Sequence, residues 1–130
     1  MASPFYARIK TDVLAISRAI PEGRLATYAD IGAHLDVMPR HVAYILATLG
    51  PSERETVPWH RVVAADGTLG PSKAGGRAAE QRERLADEGV VVDRGGAVAA
   101  FVGRVVAVSD LAHGVPKQTR PVNAPGGARR

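Results

Sequence analysis

The 130-residue chain contains no cysteine. That excludes disulfides, thiolate metal sites and a cysteine nucleophile. Aromatic residues make up only 5% of it, with a single tryptophan, Trp59. No apolar run approaches the roughly 18 to 20 residues that cross a bilayer, so no membrane partner is expected. The opening MASPFYARIK lacks the charged-then-apolar order of a secretory signal, and the expected location is cytoplasmic. The four histidines, His34, His41, His60 and His113, follow no metal-ligand spacing such as H-E-x-x-H. No metal or other cofactor is expected.

Charge of one sign is missing from one place only. The stretch PKQTRPVNAPGGARR carries Lys117, Arg120, Arg129 and Arg130 and no acid. Setting those four aside leaves 13 basic against 13 acidic residues, so the net +4 belongs to this stretch. A basic tail on a neutral body points toward a polyanion without proving one. An apolar content of 45% in 130 residues suits one globular domain. The expected organisation is a folded body over 1–113 and a disordered basic tail over 114–130.

Phe5, Ile9, Val13, Ile16 and Ile20 recur at spacings of four and three, one face of an amphipathic helix. In TYADIGAHL, Thr27 is placed to cap a helix with Asp30 three residues on, and Ile31 and Leu35 would face inward. PRHVAYILATLG begins with Pro39, favoured in a first helical turn, and stops at Gly50. Its buried stripe would be Val42, Ile45, Leu46 and Leu49. Arg40, Tyr44 and Thr48 fall on another face, with His41 beside them. Two short helices joined by a tight turn make a helix-turn-helix.

GPSERETVP reads as a polar loop. HRVVAADGTLG reads as two short strands about an Asp66-Gly67 turn. RAAEQRERLADEG reads as a helix ending at Gly89, with Glu80–Arg84 and Arg84–Glu88 pairs four apart. VVVDRGGAVAAFV reads as a hairpin turning at Gly95-Gly96. The fold class expected is mainly α with short β-strands, a winged helix-turn-helix-like DNA-binding domain.

VPWHRVV holds the lone tryptophan between a proline and two polar residues. A Trp there suits core filling. A flat aromatic at a turn beside polar groups also suits stacking on a planar ligand such as a nucleobase.

PWHRVVAADGTLG resembles the active-site segment of the O-6-alkylguanine-DNA alkyltransferases, whose motif is P-C-H-R-V. In those enzymes the Cys takes the alkyl group from damaged guanine; here Trp59 stands in its place. That replacement resembles the alkyltransferase-like members, which bind alkylated DNA without repairing it. IPEGRLATYADIGAHL, RHVAYIL and QRERLADEGVVV match further family stretches in the same order. The resemblance runs from about Phe5 to Val92.

The resemblance implies a role for each matched residue. Arg40 corresponds to an arginine finger that fills the gap left by a flipped base, a task suited to a planar, permanently charged guanidinium. Tyr28 corresponds to a tyrosine that crowds the target phosphate. His41 and Tyr44 join them on the DNA-binding face. Pro58, Trp59, His60, Arg61, Val62 and Lys73 are the expected lesion pocket. Flipping a base costs a few kcal/mol, and stacking on an aromatic returns roughly 1 to 3 kcal/mol. His60 and Glu88 form an inherited polar pair that supports the pocket, and Arg61 is read as a brace pairing with carbonyls or an acid. Glu80, Arg82, Glu83 and Arg84 are read as a solvated helix face.

The resemblance implies a non-enzymatic sensor of O-6-alkylguanine that flips the base and signals to nucleotide excision repair. Its expected partners are double-stranded DNA and repair proteins, and the chain would act as a monomer, nucleoid-associated when bound. Docking in the minor groove implies weak sequence preference and strong salt sensitivity. The alternatives are a sequence-specific helix-turn-helix regulator and an active alkyltransferase.

Overall fold

The computed structural model describes residues 4–69 and 76–118. Helix α1 (Pro4–Arg18) leads to strand β1 (Ala26–Thr27), helix α2 (Tyr28–Leu35) and helix α3 (Pro39–Ala47). Helix α4 (Pro51–Thr56), a single 3-10 turn (Trp59–Arg61) and strand β2 (Val62–Val63) follow. Helix α5 (Gly76–Ala86), the short helix α6 (Phe101–Arg104) and a second 3-10 turn (Val108–Asp110) complete it.

The amphipathic readings of the helices rest on burial, and burial decides them. Ile9, Val13, Ile16 and Ile20 are buried as their spacing requires, whereas Phe5, read as their fifth member, is 59% exposed. It lies in the first turn of α1, beyond the ground the other helices cover. All four stripe residues of α3, Val42, Ile45, Leu46 and Leu49, are buried.

Thr27 caps α2 by accepting the Asp30 N–H at 3.0 Å. Asp30 does not close the reciprocal half of a capping box. Its carboxylate instead accepts the Val108 N–H at 2.7 Å, tying the far C-terminal segment to the helix start.

The turn between α2 and α3 is tight because Asp36 adopts the left-handed region at φ 58° and Gly32 lets the chain pass close. A Cβ on Gly32 would lie 2.6 Å from the Val37 carbonyl oxygen. With Pro39 in the first turn of α3, this completes the helix-turn-helix.

Strand β1 pairs with β2 in parallel, Ala26 opposite Val62 and Thr27 opposite Val63. Successive strand residues point to opposite faces, so this short ladder divides two apolar clusters. Ala26 and Val62 join α1, α2 and α3 with Trp59 in the larger cluster. Leu25 and Val63 join Leu69, Ala78, Leu85, Val90 and Val98 in the smaller one.

Three expectations of local structure need correction. PSERET is a helix, not a polar loop: Pro51 opens it, and the Glu53 carboxylate accepts the Gly50 N–H at 3.0 Å. The stretch after Gly67 does not form a second strand against β2. Ala64 N–H bonds to the Thr68 carbonyl at 2.9 Å, closing a tight turn, and Thr68 then bridges to Ala97. The turn at Gly95-Gly96 does form, with Val92 opposite Val98. Its second arm nevertheless bends at Ala100, φ 57°, into α6 instead of continuing as a strand.

Part of the stretch read as a tail returns to the body. The His34 ring donates from Nε2 to the Val115 carbonyl at 2.7 Å, and the Gln118 N–H donates to the His34 carbonyl at 2.7 Å. Residues beyond 118 lie outside the described residues.

Candidate functional site

The 3-10 turn at Trp59–Arg61 is held from behind by three neighbours. Gln81, buried on α5, donates its side-chain N–H groups to the carbonyls of His60 and Val62, both at 3.2 Å. His60 donates from Nε2 to Glu88 Oε2 at 2.8 Å. Arg61 forks onto the same carboxylate at 2.7 to 3.1 Å and reaches the Ile20 carbonyl at 2.7 Å. Arg61 is therefore a brace, as read, and Glu88 supports the turn.

Burial of Glu88 acts to raise its pKa. Arg61, the Gly23 N–H and His60 outweigh burial and pull it down to about 2. Burial also holds His60 below the usual histidine range, against the opposing pull of Glu88. Near neutrality, then, Glu88 is ionised and His60 is neutral, with its proton on the nitrogen facing Glu88. The other ring nitrogen, Nδ1, is buried, has no protein partner, and presents a lone pair.

Trp59 is 1% exposed and packs in the larger cluster. Three guanidiniums lie over its ring: Arg54 of α4 at 4.6 Å from the centroid, and Arg77 and Arg84 of α5 at 5.4 and 5.5 Å. The negative face of an indole attracts cations in this position. Glu80 joins two of them, pairing with Arg54 and with Arg84 at 2.9 Å. Glu80 and Arg84 are thus turned onto Trp59, in correction of their reading as a solvated face. Arg82 caps the carbonyls of Asp93 and Arg94, while Glu83 is exposed as read. The Arg84–Glu88 pairing does not form, because Glu88 is engaged by Arg61 and His60.

Arg77 also reaches a second site residue. Tyr28, buried at the start of α2, has its hydroxyl pKa raised by burial, and the positive charge of Arg77 opposes that rise. Arg77 therefore sits between Tyr28 and Trp59. Sequence reading missed it, and missed Arg54. Nothing in their spacing marks them; only the fold carries α4 and α5 to the tryptophan.

The expected DNA-binding residues divide between two hollows. Tyr28 and Arg40 share one of about 320 Å³ with Ala29, Pro39, Ala43 and Ala64. His41 and Tyr44 line another, about 190 Å³, with Phe5, Tyr6 and Ile9 of α1. Tyr44 is 60% exposed there. Pro58, His60 and Arg61 open onto a third, polar hollow of about 440 Å³, shared with Arg18, Glu55 and Arg84. Val62 is buried in β2 against the core. Lys73 lies outside the described residues. No group of three or more His, Asp or Glu side chains is placed to hold a metal among the described residues.

This arrangement agrees with known proteins. A family model, the DNA-binding domain of 6-O-methylguanine DNA methyltransferase, matches residues 8–90. The chain is 42% identical over 89 residues to the DNA base-flipping protein of Escherichia coli K12, covering 66% of this chain and 65% of that protein. The match thus spans just under two thirds of that relative. It is 30% identical over 89 residues to Alkyltransferase-like protein 1 of Schizosaccharomyces pombe, covering 68% of this chain and 78% of that one. The fold matches a crystal structure of the S. pombe protein in complex with damaged DNA containing O6-carboxymethylguanine. The TM-score is 0.67 at 24% identity, over 82% of this chain and 98% of that one. On the span of the family match and the likeness to the S. pombe protein, the chain belongs to the 6-O-methylguanine DNA methyltransferase DNA-binding domain family, as one of its alkyltransferase-like members.

Proposed function

We propose that this protein is a non-enzymatic sensor of O-6-alkylguanine in double-stranded DNA, which it finds by rotating the damaged base out of the duplex. The observation that carries the reading is Trp59. It occupies the position of the alkyl-accepting cysteine, on a turn braced by Arg61, His60 and Glu88, close to Tyr28 through Arg77. An indole has no low-pKa thiolate with which to displace an alkyl group, so the site binds and does not react. The names of the relatives, a base-flipping protein and an alkyltransferase-like protein, support the same reading.

Arg40, exposed in the first turn of α3, is the finger. It shares a hollow with Tyr28, so one residue enters the stack while the other crowds the rotated nucleotide. Trp59 offers no open face in the free protein, because guanidiniums lie over its buried ring. A base that reaches it must displace an arginine. The protein acts as a monomer and hands the bound lesion to nucleotide excision repair.

The test is fluorescence anisotropy on two duplexes, one with a single O-6-methylguanine and one with guanine at that place, at fixed salt. Tighter binding to the lesion, lost in Arg40→Ala, supports the sensor. Equal binding to both overturns it in favour of a general DNA-binding module. A sharp motif from binding-site selection would instead favour the regulator, and transfer of a radiolabelled alkyl group to the protein would make it an enzyme.

A further inference from the structure

The surroundings of Trp59 are unbalanced in charge. Arg54, Arg77 and Arg84 lie within 5.5 Å of the ring centroid, and the one carboxylate bonded to any of them is Glu80. Glu80 holds Arg54 and Arg84, while Arg77 makes no ion pair among the described residues. The Arg77 Nε is buried with no hydrogen-bond partner. Three guanidiniums against one carboxylate leave an excess of two positive charges around an apolar ring. His60 does not add to it or offset it, being neutral, and the Arg61–Glu88 pair beside it is self-compensated.

An aromatic surface needs no such excess. One cation over the ring satisfies the indole, and an extra unpaired guanidinium is costly to desolvate. The arrangement is suited to an anion arriving from outside. The phosphate backbone is one anion available to this protein, but phosphates lie along the outside of a duplex. Trp59 is buried, in the position that meets the O-6 substituent of a flipped guanine.

We propose that the cluster makes this site selective for O-6 substituents that carry a negative charge, the carboxyalkyl class, over neutral alkyl groups of the same size. The inference rests on the sensor reading above. Arg77 is the specificity-determining residue. Its guanidinium has unused donors, and a guanidinium–carboxylate pair of this kind is short, directional and charge-assisted. Arg54 and Arg84, tied by Glu80, supply the surrounding positive field.

The experiment compares three duplexes by anisotropy at one salt concentration, with guanine, O-6-carbamoylmethylguanine or O-6-carboxymethylguanine at the same place. The last two substituents are nearly isosteric and differ in charge. The expected result is binding to the carboxymethyl duplex about tenfold tighter than to the carbamoylmethyl duplex, the effect of one charge-assisted pair. In Arg77→Gln that ratio should fall to within about twofold of unity. The ratio is the readout because a variant that is merely less well folded loses both affinities together. Equal binding to the two adducts, both tighter than guanine, overturns the charge selectivity and leaves the sensor intact. Equal binding to all three overturns the sensor itself. A ratio unchanged in Arg77→Gln removes Arg77 from the role.

Discussion

Arg61 places two nitrogens on the carboxylate of Glu88, Nη2 at 2.7 Å and Nε at 3.0 and 3.1 Å, and gives Nη1 to the Ile20 carbonyl at 2.7 Å. The same carboxylate accepts the Gly23 N–H at 3.0 Å and His60 at 2.8 Å. One pair of side chains thereby fastens the end of α1, the loop before β1, the Trp59 turn and the segment after α5.

Removing one partner leaves the other buried and uncompensated, which costs more than the pair contributes. Glu88→Gln should destabilise the protein by about 3 kcal/mol, and Arg61→Ala by a similar amount. The double variant should lose clearly less than the two added together. Urea denaturation of the four proteins measures this. Additive losses would mean that the two side chains do not act as a unit.

The same pair sets the acid limit of the fold. Glu88 has a folded pKa of about 2, below its unfolded value, so its contribution is complete above about pH 4.5 and is lost as pH falls toward 2. His60 is held below its unfolded value of about 6.5, so acidification from there also favours the unfolded chain. Both signs agree: stability should decline on going below about pH 6.5 and more steeply below about pH 4.5. Thermal unfolding from pH 8 to pH 3 checks it, and Glu88→Gln should flatten the lower limb.

Gly32 decides whether the helix-turn-helix closes. Alanine inside a helix is ordinarily more favourable than glycine by about 1 kcal/mol. Here its Cβ would meet the Val37 carbonyl oxygen at 2.6 Å and the Pro39 nitrogen at 3.3 Å. Backbone cannot yield as a side chain can, so the clash prevails. Gly32→Ala should lower stability by about 1 to 3 kcal/mol, seen as a reduced melting temperature. An increase would show that the turn is slack.

The segment after α6 is held to α2 by few bonds. Asp30 accepts Val108 N–H at 2.7 Å, and His113 both donates to the Val108 carbonyl at 3.0 Å and accepts the Val115 N–H at 2.9 Å. His113 meets both only as the neutral ring protonated at Nε2. His113→Ala should speed amide hydrogen exchange at Val115 and Gln118 without changing it in α3. Unaltered exchange would mean that other contacts hold the segment.

Arg40 should behave in the opposite way to Arg61. It is exposed, and no fold contact explains it. Arg40→Ala should leave the melting temperature within about 0.5 kcal/mol of unchanged stability while lowering lesion-duplex affinity about tenfold or more. A large loss of stability would make Arg40 structural.

Helix positions were readable where one physical effect dominated. The three- and four-residue spacing of Ile9, Val13 and Ile16, or of Val42, Ile45 and Leu46, needs only a helix and a core, and burial follows. Thr27 as a cap is equally local. The helix at Pro51–Thr56 was missed because PSERET has no apolar stripe. It is held by its cap and by partners elsewhere, Lys10 for Glu53 and Glu80 for Arg54. The strand expected after Gly67 failed for the complementary reason. Its pairing went to Ala97, nearly thirty residues on, and not to its neighbour.

The site divides in the same way. Residue types and local order in PWHRV, the exposed Arg40 and the downstream Glu88 are properties of the string, and they sufficed for the family and for the absence of a thiol. That His60 and Glu88 meet at 2.8 Å was expected from the resemblance and required the fold. The gathering of Arg54, Arg77 and Arg84 on Trp59 was decided by tertiary structure alone. Charges 5 to 25 residues from an indole carry no local signature. They become a site only when the β1–β2 pairing and the burial of Trp59 bring α4 and α5 together around one ring.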